Sequence, residues 1–165
     1  MQNRIITLPA FTLMFPNLYQ PKAIVPGTAP KYTATAVFNA EMNTSEIVAL
    51  IRAVMLEKFE SIVARSPLRY MDDKYGFSDC ERLNMSSKTR PLLREAMPDE
   101  NMYMAGEKTF YSGCLCTAEI ELFTYDAHGQ RGVAAHLLSI TKLADQKLTE
   151  DQVAALADPE PFNGL

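Results

Sequence analysis

Polar and apolar positions alternate with period two over Thr109–Leu143: Cys114, Cys116, Ala118, Ile120 and Leu122 fall on one side, and Thr117, Glu119, Glu121, Phe123 and Tyr125 on the other. Asp126-Ala127-His128-Gly129 supplies turn chemistry before a second β-friendly run, Val133–Leu143, so this stretch is expected to be a long hairpin with one core face and one wet face. Gly113 and Gly132 near the strand ends predict bulges or close backbone approach. Upstream, Arg4–Phe15 reads as a strand whose Pro9 demands an edge or a bulge, followed by a proline-rich connection over Asn17–Pro30 that carries Tyr19 and Lys22. Lys31–Asn39 reads as a second strand. It sets Tyr32, Ala34, Ala36 and Phe38 on one face, a pattern that favours a core over the alternative of a platform for flat ligands.

The period changes to 3.6 over Thr44–Ala64, where Ile47, Val48, Ile51, Val54, Met55, Phe59, Ile62 and Val63 recur at helical spacing. Asn43 and Glu46 suggest a capping box, and Ser66-Pro67 ends the helix. Leu68–Arg82 holds no sustained period and reads as an insertion or mobile loop rich in Tyr70 and Tyr75. Leu83–Leu93 reads as a short strand that sends Lys88 and Arg90 the same way, at a spacing that would reach successive phosphates. Arg94–Lys108, with turns at Pro98-Asp99 and Ala105-Gly106, reads as a loop. Thr149 with Gln152 three residues on starts a short helix over Leu148–Leu156.

Length and composition add bounds. At 165 residues, 47% hydrophobic and 22% charged, the chain suits one globular domain. The apolar start Ile5–Phe15 lacks a convincing cleavage site, so no signal peptide is expected, and no stretch approaches a membrane span. Three cysteines, Cys80, Cys114 and Cys116, suit reduced thiols. Cys114 and Cys116 with His128 or His136 would make a metal set, but no second cysteine pair stands at finger spacing, and burial is the preferred reading. The Asp72-Asp73 pair lacks the partners a magnesium site needs. No nucleophile elbow, phosphate loop or metal-binding histidine pair is present, so neither an enzyme nor a cofactor is expected. The net charge of −4 resides from Ala144 onward; residues 1–143 balance at fifteen charges of each sign and can still carry a basic stripe.

The blocks FPNLYQPKA and PKYTATAVF, mid-chain LNMSSKTRP, then YSGC and GQRGVAAHLLSITKL occur in an order that resembles a family of tailed-phage single-stranded DNA-binding proteins, over most of residues 4 to 143. The resemblance implies a five-stranded OB-fold barrel, which the strand, strand, helix, strand and hairpin order also suits; pattern alone leaves an α+β sheet as a competitor. Residues 1–143 would form the binding domain and 144–165 an acidic C-terminal tail.

Single-stranded DNA offers phosphates to cations and base faces to aromatic rings. With seven Tyr, eight Phe and no Trp, tyrosines would do most of the stacking. The candidates are Tyr19, Tyr32, Tyr111 and Tyr125 for bases, and Lys22, Lys31, Lys88, Arg90, Arg131 and Lys142 for phosphates. Tyr111 and Arg131 are placed by resemblance to the YSGC and GQRG blocks. Phage origin implies the host cytoplasm and roles in DNA replication and recombination. DPEPFNGL partly resembles the acidic, Phe-containing tails of single-strand binders, which implies phage or host replication proteins as partners; self-association along DNA is a further expectation, and a membrane partner is not expected. An acidic tail beside a cationic groove would compete with DNA for it. The alternative is an OB-fold scaffold that binds protein and no DNA.

Overall fold

The computed structural model describes residues 4–23, 26–61, 64–71, 75–96, 102–127 and 129–157. Among them the chain forms β1 (Ile5–Thr7), β2 (Phe11–Lys22), β3 (Lys31–Phe38), α1 (Ser45–Phe59), β4 (Leu68–Tyr70), β5 (Glu81–Ser87), β6 (Leu92–Ala96), β7 (Met102–Met104), β8 (Leu115–Ala127), β9 (Gln130–Ala144) and α2 (Glu150–Val153), the last running into a 3₁₀ turn at Ala154–Ala157. Strands β8, β2, β3, β5 and β9 pair in that order, and β9 returns to β8, closing a ring of five. Closure is antiparallel except where β5 meets β9 in parallel, at Met85↔Ala135 and Ser86↔His136. The ring is the expected five-stranded barrel, and it leaves no open edge within itself. The remaining strands extend it: β1 on β8, β4 on β5, β6 on β9 and β7 on β6.

Alternation dictates the interior. Cys116, Ala118, Ile120 and Leu122 of β8 meet Ala34, Ala36 and Phe38 of β3, Leu83 and Met85 of β5, and Ala135, Leu137 and Ile140 of β9 inside the barrel. Phe11 and Phe38 stack edge to face there, with centroids 5.8 Å apart. Helix α1 sends Ile47, Ile51, Val54 and Met55 into the same core. It ends at Glu60, whose left-handed backbone (φ 55°) lets its N–H donate to the Leu56 carbonyl. The expected capping box is absent: Asn43 Oδ1 accepts from the Ser45 N–H, and the Thr44 hydroxyl donates to Glu81 rather than turning back onto the helix.

Three stretches depart from the local pattern. β2 does not stop at Phe15. It continues through Pro16 and Pro21 to Lys22, because register shifts on either side of Asn17 absorb the prolines, and Phe15 adopts φ 53° at the first of them. The segment expected as an insertion pairs as β4 and then buries Met71, Phe77 and Cys80 on the outside of the barrel, over Met14 and Val37. Arg94–Lys108 is not all loop, since β6 lies parallel to β9 and β7 hairpins back on it. Asp72, Asp73, Pro98, Asp99, His128 and the DPEPFNGL terminus lie outside the described residues.

The outer core is completed from the C-terminal side. Ala155 is fully buried and Leu148 packs at its rim. Thr149 accepts from the Gln152 N–H while the Gln152 side chain accepts from the Thr149 N–H, the capping box read from the sequence. Gly113 sits beneath this segment with φ +110°, and a Cβ there would lie 2.9 Å from Leu148 Cγ. Gly113→Ala is therefore expected to lower stability by about 1–3 kcal/mol through backbone strain alone. A chemical denaturation midpoint equal to wild type would contradict this.

Candidate nucleic-acid interface

One end of the barrel is a mouth built from strand termini. Lys22 closes β2 and Lys31 opens β3, and the two are direct cross-strand partners. Like charges set opposite each other are unfavourable without an anion between them. Tyr32 is the next residue of β3 and pairs with Ser87 at the end of β5, which leads directly into Lys88 and Arg90. Lys22, Lys88 and Arg90 are exposed, and Lys31 and Tyr32 half-buried. Among the described residues no carboxylate lies within ion-pair distance of Lys22, Lys31, Lys88 or Arg90.

Arg90 is nonetheless held in place. Its guanidinium carbon lies 5.9 Å from the Tyr32 ring centroid, and its Nη2 donates to the Tyr19 carbonyl at 2.8 Å. The Tyr19 hydroxyl donates to the Gly106 carbonyl, so the loop before β8 is tied to the same rim. Burial and the nearby Glu107 carboxylate raise the Tyr19 pKa, keeping its phenol protonated. His136 is on the outward face of β9, between the core residues Ala135 and Leu137, with Nε2 3.2 Å from the Ser87 hydroxyl and Nδ1 4.0 Å from Glu121.

A second cluster adjoins it across Glu95. Lys142 lies 4.9 Å from the Tyr111 ring centroid, 2.6 Å from Asp145 and 3.9 Å from Glu95. Tyr111 also donates its hydroxyl to Asp145. Lys142 is thus buried and neutralised, and the exposed cation expected at this position is in fact the centre of an ion-pair cluster. Burial would lower its pKa, but Asp145, Tyr111 and Glu95 outweigh it and leave the ammonium raised. Burial and the Asp145 hydrogen bond likewise raise Tyr111. Asp145, bonded by Lys142 and then by Tyr111, is held below the usual carboxylate range. Beneath the cluster the Cys114 and Cys116 sulfurs are 3.6 Å apart. The Cys116 thiol holds Cys114 down to about 7, and that same bond with burial pushes Cys116 up.

Tyr125 and Arg131 are not at the mouth. They lie at the far tip of the β8–β9 hairpin, where Ala127 pairs with Gln130 and Gly129 takes φ +75°. The Tyr125 ring lies across Gly132, its cross-strand partner, so closely that a Cβ on Gly132 would meet the hydroxyl. Arg131 stacks on Phe59 of α1, with 5.2 Å to the ring centroid. The structure therefore brings Tyr19, Lys22, Lys31, Tyr32, Lys88 and Arg90 together, sets Tyr111 and Lys142 beside them, and separates Tyr125 and Arg131. Sequence reading missed Asp145, Phe59 and Arg65 as partners of these residues. Only Asp145 had a local signal, standing three residues after Lys142.

A five-stranded barrel closed in this strand order places the chain in the OB-fold class. The chain belongs to the family described as Enterobacter phage Enc34, ssDNA-binding protein, whose model matches residues 4–160. It is 28% identical over 149 residues to protein p50 of Acyrthosiphon pisum secondary endosymbiont phage 1, covering 81% of this chain and 79% of that one. Its fold is similar to that of the single-stranded DNA-binding protein from bacteriophage Enc34 in complex with ssDNA, with a TM-score of 0.75 at 18% identity over 88% of this chain and 89% of that one. It is also similar to gp2.5, a single-stranded DNA-binding protein of bacteriophage T7, with a TM-score of 0.62 at 11% identity over 89% and 95%. The family is one of DNA-binding proteins and not an enzyme class. Among the described residues no helix is long and apolar enough to cross a membrane.

Proposed function

We propose that this chain binds single-stranded DNA without sequence preference in phage DNA replication and recombination, seating the strand across the mouth between β2, β3 and the β5 end. The observation that carries this reading is the set of four cations without carboxylate partners among the described residues, Lys22, Lys31, Lys88 and Arg90, grouped around the half-buried Tyr32 ring. Phosphates neutralise the Lys22–Lys31 repulsion while a base stacks on Tyr32, and stacking accepts every base because each has a π-face. Duplex DNA hides those faces, so it is the weaker ligand. Each of Lys22→Ala, Lys31→Ala and Lys88→Ala is expected to reduce the slope of log K against log salt for oligo-dT by about 0.7. An unaltered slope in all three would remove the mouth from the binding surface.

Asp145 occupies Tyr111 and Lys142 in the free protein, and it belongs to the acidic segment from Ala144 onward that competes with DNA for these groups. Asp145→Asn is expected to tighten oligo-dT binding about two- to fivefold at low salt, the range of a partly exposed ion pair. This substitution is a cleaner probe than truncation at 144, which would also strip Leu148 and Ala155 from the outer core. Because the carboxyl is depressed, the contact persists above the usual Asp range and is lost only as pH falls through the lowered value. An Asp145→Asn protein of unchanged affinity would show that the carboxylate does not compete. Through the same acidic segment the chain would meet phage or host replication proteins.

A further inference from the structure

We infer that Arg65 and Arg131 form a second site for the phosphodiester backbone, at the hairpin tip and separate from the mouth. This rests on the single-strand reading above and extends it. The mouth meets β9 at His136, which pairs with Ser86, and Arg131 precedes it by five residues on the same strand. At ~3.3 Å per residue that is about 17 Å, so one side chain cannot serve both places.

The two arginines are brought together by the backbone. The Arg65 N–H donates to the Arg131 carbonyl at 2.9 Å, and the Val133 N–H donates to the Arg65 carbonyl at 2.9 Å, forming a parallel bridge beside Gly132. Both side chains are exposed and line an open pocket of about 450 Å³ with Ala64, Gly129 and Gln130. Among the described residues no carboxylate lies within 4 Å of either guanidinium; even Asp126, directly across the ladder from Arg131, makes no ion pair with it. The Phe59 ring lies against the Arg131 guanidinium, whose carbon is 5.2 Å from the ring centroid, while the side chain stays exposed. A planar fork of donors held against a ring, beside a second one and without a carboxylate partner among the described residues, matches the paired oxygens of a phosphodiester and offers a base a surface to stack on. A strand long enough to cover both ends gains the tip as an intramolecular second contact.

The test compares wild type with Arg65→Gln/Arg131→Gln on labelled oligo-dT of about 4 and about 30 nucleotides, the shorter being at the low end of one OB-fold site and too short to occupy the mouth and the tip together. Both substitutions are on exposed side chains, and thermal unfolding of the double variant checks that it folds; Arg131→Lys, which keeps the charge but not the planar fork, is a second variant. The inference expects unchanged binding of the short strand. For the long one it expects a slope of log K against log salt shallower by about 1.4 and affinity about 25-fold weaker at 0.1 M salt, from two lost phosphate contacts. Arg131→Lys should fall between. Equal affinities on the long strand overturn the inference, as does an equal loss on both lengths. If inorganic phosphate, at matched ionic strength, removes the wild-type advantage on the long strand, the site takes free phosphate and the backbone assignment fails. Absence of wild-type binding to either length would instead defeat the mouth reading, so the two failures are distinguishable.

Discussion

Tyr32→Ala is expected to weaken oligo-dT binding by about 5- to 150-fold, the equivalent of one lost base stack of about 1–3 kcal/mol. The ring is suited to this because it closes the row of inward positions on β3 where the barrel opens. Ala34, Ala36 and Phe38 are sealed in the core, whereas Tyr32 at the strand's first turn keeps part of its surface in solvent. Arg90 rests on the ring and adds a charge beside any base that stacks there. Tyr32→Phe preserves the π-face and should bind nearly as wild type, which separates stacking from loss of the hydroxyl. Equilibrium titration at fixed salt measures both variants. Equal affinity for Tyr32→Ala and wild type, with folding verified by circular dichroism, would exclude Tyr32 as a stacking surface.

The second large effect concerns the barrel that holds the mouth open. Phe11→Ala is expected to cost about 3–5 kcal/mol, the range for a fully buried aromatic that leaves a cavity. Phe11 is entirely buried, pairs edge to face with Phe38 and lies at the β2–β8 seam, opposite Cys116. That loss is a large share of the 5–15 kcal/mol by which domains are usually stable, and should lower Tm by about 10 °C or more for a chain of this size. Urea denaturation followed by circular dichroism gives the value directly. A loss below about 1 kcal/mol would mean that the seam is not the packed junction described.

The parts legible in the sequence were those whose signal is local and repeated. The β8–β9 hairpin, β3 and helix α1 were visible because alternation or helical spacing persists over eight or more residues and one face is buried throughout. The Thr149–Gln152 box was visible because its donors and acceptors are three residues apart. The missed features were set by distant partners. β2 crosses two prolines only because bulges opposite β3 take up the missing donors. β6 and β7 exist because β9 and β6 supply ladders to segments of five and three residues, too short to show a period of their own. Met71, Phe77 and Cys80 lack a period because they cover the outside of the barrel from a loop, each answering a different neighbour.

The candidate site divided in the same way. Lys31-Tyr32 was readable as a cation and an aromatic on a strand; Lys88 and Arg90, read as strand residues, instead lie in the turn after β5, where the Tyr32–Ser87 pairing sets them beside Lys31 and Tyr32. Lys142 looked like a free cation because its neutralising partners, Asp145 and Glu95, acquire that role only when β9 lies beside β6 and the chain turns after Ala144. Arg131 was grouped with the mouth by resemblance of a sequence block, but the length of β9 carries it to the other end of the hairpin, where Arg65 and Phe59 are its neighbours.

The most direct test of the account is fluorescence anisotropy of labelled oligo-dT against a duplex of the same length, over a salt series. The account predicts clear preference for the single strand, with log K falling linearly against log salt by about 0.7 for each phosphate contacted. No binding to the single strand at low salt, repeated with Asp145→Asn to remove the competing carboxylate, would contradict it and leave an OB-fold scaffold for a protein partner as the reading of this mouth.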